Sequence, residues 1–139
     1  MSKLSPDVID ALVEAAAAVR KRAHAPYSGY SVGAAVLDGE GRTHLGCNVE
    51  NASYGLTVCA ERHAVAAAVA AGATELRGVA VVTASVPPAS PCGACRQVLA
   101  EFGDFPVVLA NPDGNRRLTT VSELLPDAFG PGVLKPIPR

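Results

Sequence analysis

The sequence predicts an α/β domain with α/β/α layers around a mixed five-stranded sheet. Three observations lead there. The chain has 139 residues, 49% of them hydrophobic and 18% charged, which suits one domain with a single core and lacks the polar, highly charged signature of disorder. Strand-like and helix-like segments follow one another as β-β-α-β-α-β-β with a helix at each end. The first two strands are joined by a glycine-containing hairpin turn and the last two by a turn too brief for a parallel crossover, so both pairs run antiparallel, whereas helices separate the inner strands. No repeat or linker interrupts the chain, and residues 1–139 read as one domain with a Gly/Pro-rich tail from about 130.

Ser5 is placed to cap a first helix that starts at Pro6, and Val8, Leu12, Ala15, Ala16 and Val19 recur at helical spacing. Arg20, Lys21 and Arg22 complement the carbonyl end of its dipole as a solvated basic end, and Pro26 terminates the pattern. Ser31 to Leu37 and Arg42 to Val49 read as strands joined by Asp38-Gly39-Glu40-Gly41, whose glycines permit the positive φ of a hairpin. A polar bend from Glu50 to Gly55 leads to an alanine-rich helix that starts near Thr57 or Val58 and stops at Gly72.

Gly78 to Thr83 has the continuous apolar character of a buried strand. The prolines of Val86 to Pro91 forbid a ladder, so this segment is a loop delivering Cys92, and a helix follows from about Gly93 to Phe102. Pro106 to Ala110 and Arg116 to Thr119 are strands around the turn Asn111 to Asn115, and Thr120 and Glu123 have capping-box spacing for a short helix over Val121 to Leu125.

Composition narrows the function. Twelve basic against thirteen acidic residues give a net charge of −1, which provides no uniform positive field for a phosphate backbone, so nucleic acid is not expected as a partner. The most apolar run, Val58 to Ala71, is broken by Glu61, Arg62 and His63 and falls short of the roughly 18 residues a membrane span requires. The first residues show no basic region followed by an apolar core, so the expected address is cytoplasmic. In that compartment four cysteines suit metal binding or redox chemistry better than a disulfide framework.

Cys92 and Cys95 stand about one helical turn apart, the spacing at which both sulfurs reach one ion, and Cys59 offers a third thiolate from another element. Three protein ligands would leave one position for water, as in a catalytic zinc site, where structural zinc takes four. A thioredoxin-like redox pair is an alternative for Cys92 and Cys95 alone, although Pro91 precedes them and the element order differs. Glu61, two residues after Cys59 in a run of alanine and valine, is either a dipole-stabilising helix-start carboxylate or a general base beside the metal. Three thiolates on Zn²⁺ carry a net −1 charge, which two helix N-termini and donation from Arg62 and Arg96 would offset.

Cys59-Ala60-Glu61-Arg62 and Pro91-Cys92-Gly93-Ala94-Cys95-Arg96-Gln97 together resemble the signature of the zinc-dependent cytidine deaminases. Pro26-Tyr27-Ser28, Val32 to Ala35, Gly46 to Gly55 and Leu124 to Phe129 resemble segments of its short, homotetrameric free-nucleoside branch, so the similarity spans about Tyr27 to Phe129 in order. This resemblance implies a cytidine deaminase-like fold, one Zn²⁺ per chain on Cys59, Cys92 and Cys95, and a homotetramer. It also implies deamination of cytidine and 2′-deoxycytidine in pyrimidine salvage, with Glu61 carrying a proton from water to N3 of the base and a further proton to the departing amine.

Asn48 and Glu50 are implied to hold the sugar hydroxyls, Tyr30 to flank the base where the family commonly has Phe, Ala60 to line the substrate site, and Phe129 to cover the pyrimidine of a neighbouring subunit. A nucleoside is favoured over a nucleotide because Glu50 would repel a phosphate. Two rivals stand beside this reading: a deaminase for another aminopyrimidine such as blasticidin S, and a zinc module without turnover. Cys47 reads as a small buried hydrophobe, His63 as an unneeded fourth ligand, and His24 and His44 as surface histidines.

Overall fold

A computed structural model describes residues 3–134. Helix α1 (Pro6–Arg20) is followed by strands β1 (Gly33–Asp38) and β2 (Thr43–Cys47), a 3₁₀ turn (Tyr54–Leu56) and helix α2 (Ala60–Ala70). Strand β3 (Leu76–Val82), helix α3 (Gly93–Ala100), strands β4 (Pro106–Ala110) and β5 (Arg116–Thr120) and helix α4 (Val121–Leu124) complete the chain. The Gly/Pro-rich tail beyond residue 134 lies outside the described residues.

The five strands form one sheet in the order β2-β1-β3-β4-β5. Both hairpins are antiparallel, β1 also runs antiparallel to β3, and β3 and β4 are parallel with α3 as their crossover. The sheet is therefore mixed. The inner strands β1, β3 and β4 are buried along nearly their whole length, which accounts for their unbroken apolar runs, while β2 and β5 are the part-exposed edges.

Alternation along the strands sends side chains to two cores. Leu12 and Ala16 of α1 pack on Ala35, Leu37, Ala80, Val82, Val108 and Ala110 on one face. On the other face Ala34, Val36, Val79, Val81, Val107 and Leu109 meet Ala64 and Val65 of α2, Leu99 of α3 and Leu124 of α4. These are the three α/β/α layers. Two glycines set how closely the layers approach. A Cβ on Gly33 would stand 2.0 Å from the Ala16 carbonyl oxygen, and one on Gly46 would stand 2.4 Å from both the Ala60 oxygen and the Ala64 nitrogen. Gly46 thus fixes the first turn of α2 against β2.

Several local expectations shift. The Ser5 hydroxyl accepts from the Val8 amide as anticipated, but α1 closes at Arg20, whose Nε donates to the Ser31 carbonyl at 2.8 Å and ties the helix to the segment entering β1. Helix α2 begins at Ala60, two to three residues later than its alanine-rich pattern suggested, because Val58 and Val49 are held in an isolated antiparallel bridge. Thr120 Oγ1 accepts from the Glu123 amide, but the Glu123 carboxylate takes the Thr119 hydroxyl, so half of the expected capping box forms.

His44 is not a free surface histidine. Its Nε2 lies 2.8 Å from Oδ2 of Asp38, a carboxylate only 1% exposed at the end of β1 that also accepts from Arg42 Nε and from the Glu40 and Arg42 amides. Asp38 was expected as a turn residue; it is the anchor of the β1–β2 hairpin. His24 is exposed.

Candidate active site

Cys59 and Cys92 occupy equivalent places: each is the extended N-cap residue of a helix, α2 and α3 respectively. Both helices lie on the same face of the sheet, and their amino ends meet. The Sγ atoms of Cys59 and Cys92 are 3.7 Å apart, those of Cys92 and Cys95 3.5 Å, and all three lie within 4.8 Å of one another. Thiolates bound tetrahedrally to zinc at roughly 2.3 Å stand about 3.8 Å apart, so the donor set fits that ion. All four cysteines are free thiols, and Cys47 stays outside the cluster.

Electrostatics favour a thiolate here. Cys59 is lowered to about 5, first by the Cys95 thiol that hydrogen-bonds to it and further by Arg62, against the opposing cost of burial. Cys95, fully buried, is raised, first by that same bond and then by burial. Arg62 Nη2 lies 3.7 Å from Cys59 Sγ, and its Nε is buried without a hydrogen-bond partner. Two converging helix amino ends add positive potential at the same point.

Arg96 does not join Arg62 at the sulfurs. Its guanidinium donates to the Pro91 carbonyl at 2.8 Å, the Leu124 carbonyl at 2.7 Å and Ser90 Oγ at 2.8 Å, binding the loop before α3 to α4. It supports Cys92 through the backbone. His63 turns the other way, with Nδ1 2.9 Å from the Cys47 carbonyl oxygen, and among the described residues only Cys59, Cys92 and Cys95 form a metal-binding group.

A cavity of about 230 Å³ opens beside the thiols. It is lined by Cys59, Ala60, Glu61 and Cys92 from the starts of α2 and α3, by Tyr30, Val32, Asn48 and Thr57 from the segments before β1 and around β2 and α2, and by Val81, Thr83, Ala89 and Ser90 from β3 and the loop after it. Glu61 is 5% exposed, and its carboxyl is raised, chiefly by burial and further by the negative Cys59 sulfur. A carboxyl raised by burial holds a proton more readily than a solvated helix-start glutamate, the direction that suits a group that takes and returns one.

Asn48 and Glu50, both implied to hold the sugar hydroxyls, face two adjoining hollows. Asn48 lines the cavity, whereas Glu50 lies with Tyr27, Ser28 and Tyr54 in a second depression, and Thr57 borders both. Both also hold structure. Asn48 Oδ1 accepts from the Val32 amide at 2.8 Å and its Nδ2 donates to the Tyr30 carbonyl at 2.7 Å. Glu50 accepts from the Tyr27 and Ser28 amides and, through a short contact, from the Ser28 hydroxyl, which is the main reason its carboxyl lies below its usual range. Each keeps spare capacity, a second N–H on Asn48 and further lone pairs on Glu50.

Phe129 is 58% exposed and does not line this cavity within the chain; Gln97 Nε2 holds its carbonyl at 2.6 Å. No local pattern distinguishes Thr57, Thr83 or Ser90 from the chain's many other hydroxyls. Asn111 had the appearance of an ordinary turn residue, yet it is buried and donates from Nδ2 to the Ser85 carbonyl in the loop before Cys92.

Relatives share this arrangement's sequence and fold. A family model described as the cytidine and deoxycytidylate deaminase zinc-binding region matches residues 7–111. A cytidine deaminase of Sporosarcina psychrophila is 46% identical over 123 residues, covering 87% of this chain and 90% of that one. One from Halalkalibacterium halodurans is 48% identical over 120 residues, covering 85% and 91%. The crystal structure of cytidine deaminase from Burkholderia pseudomallei superposes with a TM-score of 0.84 at 52% identity, covering 86% of this chain and 98% of its own. With both motifs converging on one cavity and similarity along most of its length, the chain belongs to the zinc-binding cytidine and deoxycytidylate deaminase family.

Proposed function

We propose that this protein hydrolyses cytidine and 2′-deoxycytidine, with water replacing the exocyclic amine to give uridine or 2′-deoxyuridine and ammonia. The observation that carries the reading is the clustering of the Cys59, Cys92 and Cys95 sulfurs beside a cavity that Cys59, Glu61 and Cys92 line. Cys59, Cys92 and Cys95 would hold one Zn²⁺, which when bound supplies a Lewis acid that makes water acidic near neutral pH.

Glu61 is the proton carrier. Its carboxylate accepts a proton from water, whose hydroxide adds to C4, and delivers that proton to N3 of the pyrimidine; it then takes the proton of the new C4 hydroxyl and passes it to the leaving amine, and its burial beside the cavity supports that role by excluding bulk water. Arg62 offsets thiolate charge, and Arg96 keeps the loop before α3 in place. Asn48, with its spare N–H, and Glu50, across Thr57, bind the sugar hydroxyls; a phosphate beside Glu50 would be repelled. Tyr30 and Ala60 flank the base. Phe129 is exposed enough to reach a neighbouring subunit's site.

The whole of residues 1–139 acts as one domain within a homotetramer, working in the cytoplasm in pyrimidine salvage. Exposed apolar side chains at Tyr54, Leu56 and Phe129 support self-association, and four unpaired cysteines suit a reducing compartment. The test is an ultraviolet assay of cytidine with purified protein before and after chelation. The proposal expects cytidine loss with equimolar ammonia, abolished by chelation and restored by zinc; zinc-replete protein that leaves cytidine intact would refute it.

A further inference from the structure

A side-chain hydrogen bond ties the cavity-lining Tyr30 to the loop between β3 and α3. Tyr30 Oη lies 2.6 Å from Ser85 Oγ, across a separation of 55 residues, and Ser85 belongs to the same β3–α3 loop as the lining residues Ala89 and Ser90. We propose that this hydrogen bond is a latch that fixes the Tyr30 ring as a wall of the base site, and that Ser85 is a positioning residue acting through it. The inference rests on the aminopyrimidine reading above and assigns that substrate's flat face to the latched ring.

Both ends of the latch are anchored, and the ring between them is not. The Ser85 carbonyl accepts from Asn111 Nδ2 at 2.9 Å, and Asn111 is itself fixed, its Oδ1 accepting from the Asp113 and Asn115 amides. The Ser85 and Ala89 amides both face Thr83 Oγ1. Ser85 is thus a fixed post. On the other side the Tyr30 backbone is held by Ser28 Oγ and Asn48 Nδ2.

The Tyr30 side chain is 40% exposed, so core packing does not set its two torsions. Its hydroxyl bond does. Without the bond, the cost of ordering the ring falls on each binding event, which weakens affinity and leaves the chemical step at Glu61 untouched.

The experiment compares zinc-loaded wild type, Tyr30→Phe, Ser85→Ala and the double variant in steady-state deamination of cytidine. Each single change should raise KM about threefold to tenfold, the span of one partly exposed hydrogen bond, with kcat within about twofold. The double variant should be no worse than either single one, because all three lack the same bond. Ser85→Thr, which keeps a hydroxyl, should retain the wild-type KM.

Independent multiplication of the two effects, an unchanged KM in both single variants, or a loss confined to kcat would overturn the latch. A wild type without turnover would instead refute the proposed function. The latch is then read by ring NMR of the three tyrosines, where Ser85→Ala should move the signals absent from Tyr30→Phe. Unmoved Tyr30 signals would overturn it there too.

Discussion

The Sγ of Cys59 lies 3.7 Å from the Sγ of Cys92 although 33 positions separate them in the chain. The contact exists because each residue is the N-cap of a helix on the same sheet face, so the fold itself gathers the sulfurs and aligns two helix dipoles on them.

Removing one sulfur should therefore cost both metal and stability. Cys92→Ala should purify with little zinc and a lower thermal midpoint, because metal binding is coupled to folding. Metal analysis and thermal unfolding check this, and a variant with a full equivalent of zinc would exclude Cys92 as a ligand.

The position of α2 depends on Gly46. Because a Cβ there would meet backbone atoms at 2.4 Å, Gly46→Ala must push the first turn of α2, and with it Cys59 and Glu61, away from β2. Overpacking of this kind typically costs about 1–3 kcal/mol. Urea unfolding should show a lowered midpoint together with weaker zinc retention; an unchanged midpoint would mean that the helix relaxes freely.

How much of this was legible in the chain differs from part to part. The five strands, the hairpins and the crossover helix follow from apolar runs and turn residues, which are local properties. Cys59, Glu61, Cys92 and Cys95 were visible because reactive residue types stood at the starts of small-residue helices. Partnerships across the sheet were not. Nothing near His44 announces that it closes on Asp38, nothing near Asn111 points to Ser85, and Arg96 reaches Leu124 only because α4 folds beside α3. Such pairings are set by which strands become neighbours, and local pattern carries no record of them.

Glu50 serves the Tyr27–Ser28 segment as well as the second hollow, so its substitution should be felt in binding. Glu50→Gln should raise KM for cytidine roughly tenfold or more, the scale of a hydrogen bond to a charged group. A ribose-lacking analogue should show a smaller change in parallel inhibition measurements, and equal effects on both would remove Glu50 from sugar recognition.

Asp38 links the hairpin to pH. Its carboxyl lies well below the usual range, first because of the hydrogen bond with His44, then because the Arg42 amide, the Glu40 amide and the Arg42 side chain outweigh its burial. A depressed folded-state value stabilises above the unfolded value of about 4 and loses that stabilisation as pH falls toward the folded value. Asp38→Asn should thus lower the unfolding midpoint at neutral pH and flatten its decline in acid. Parallel acid slopes for wild type and variant would contradict this origin.

The most direct measurement compares ammonia release from cytidine by zinc-loaded wild type and Glu61→Gln at equal metal content. The account predicts the same zinc stoichiometry and thermal midpoint in both, with turnover in the variant reduced by about 10² to 10⁴, the usual contribution of a positioned proton carrier. A Glu61→Gln protein that releases ammonia at close to the wild-type rate would contradict it.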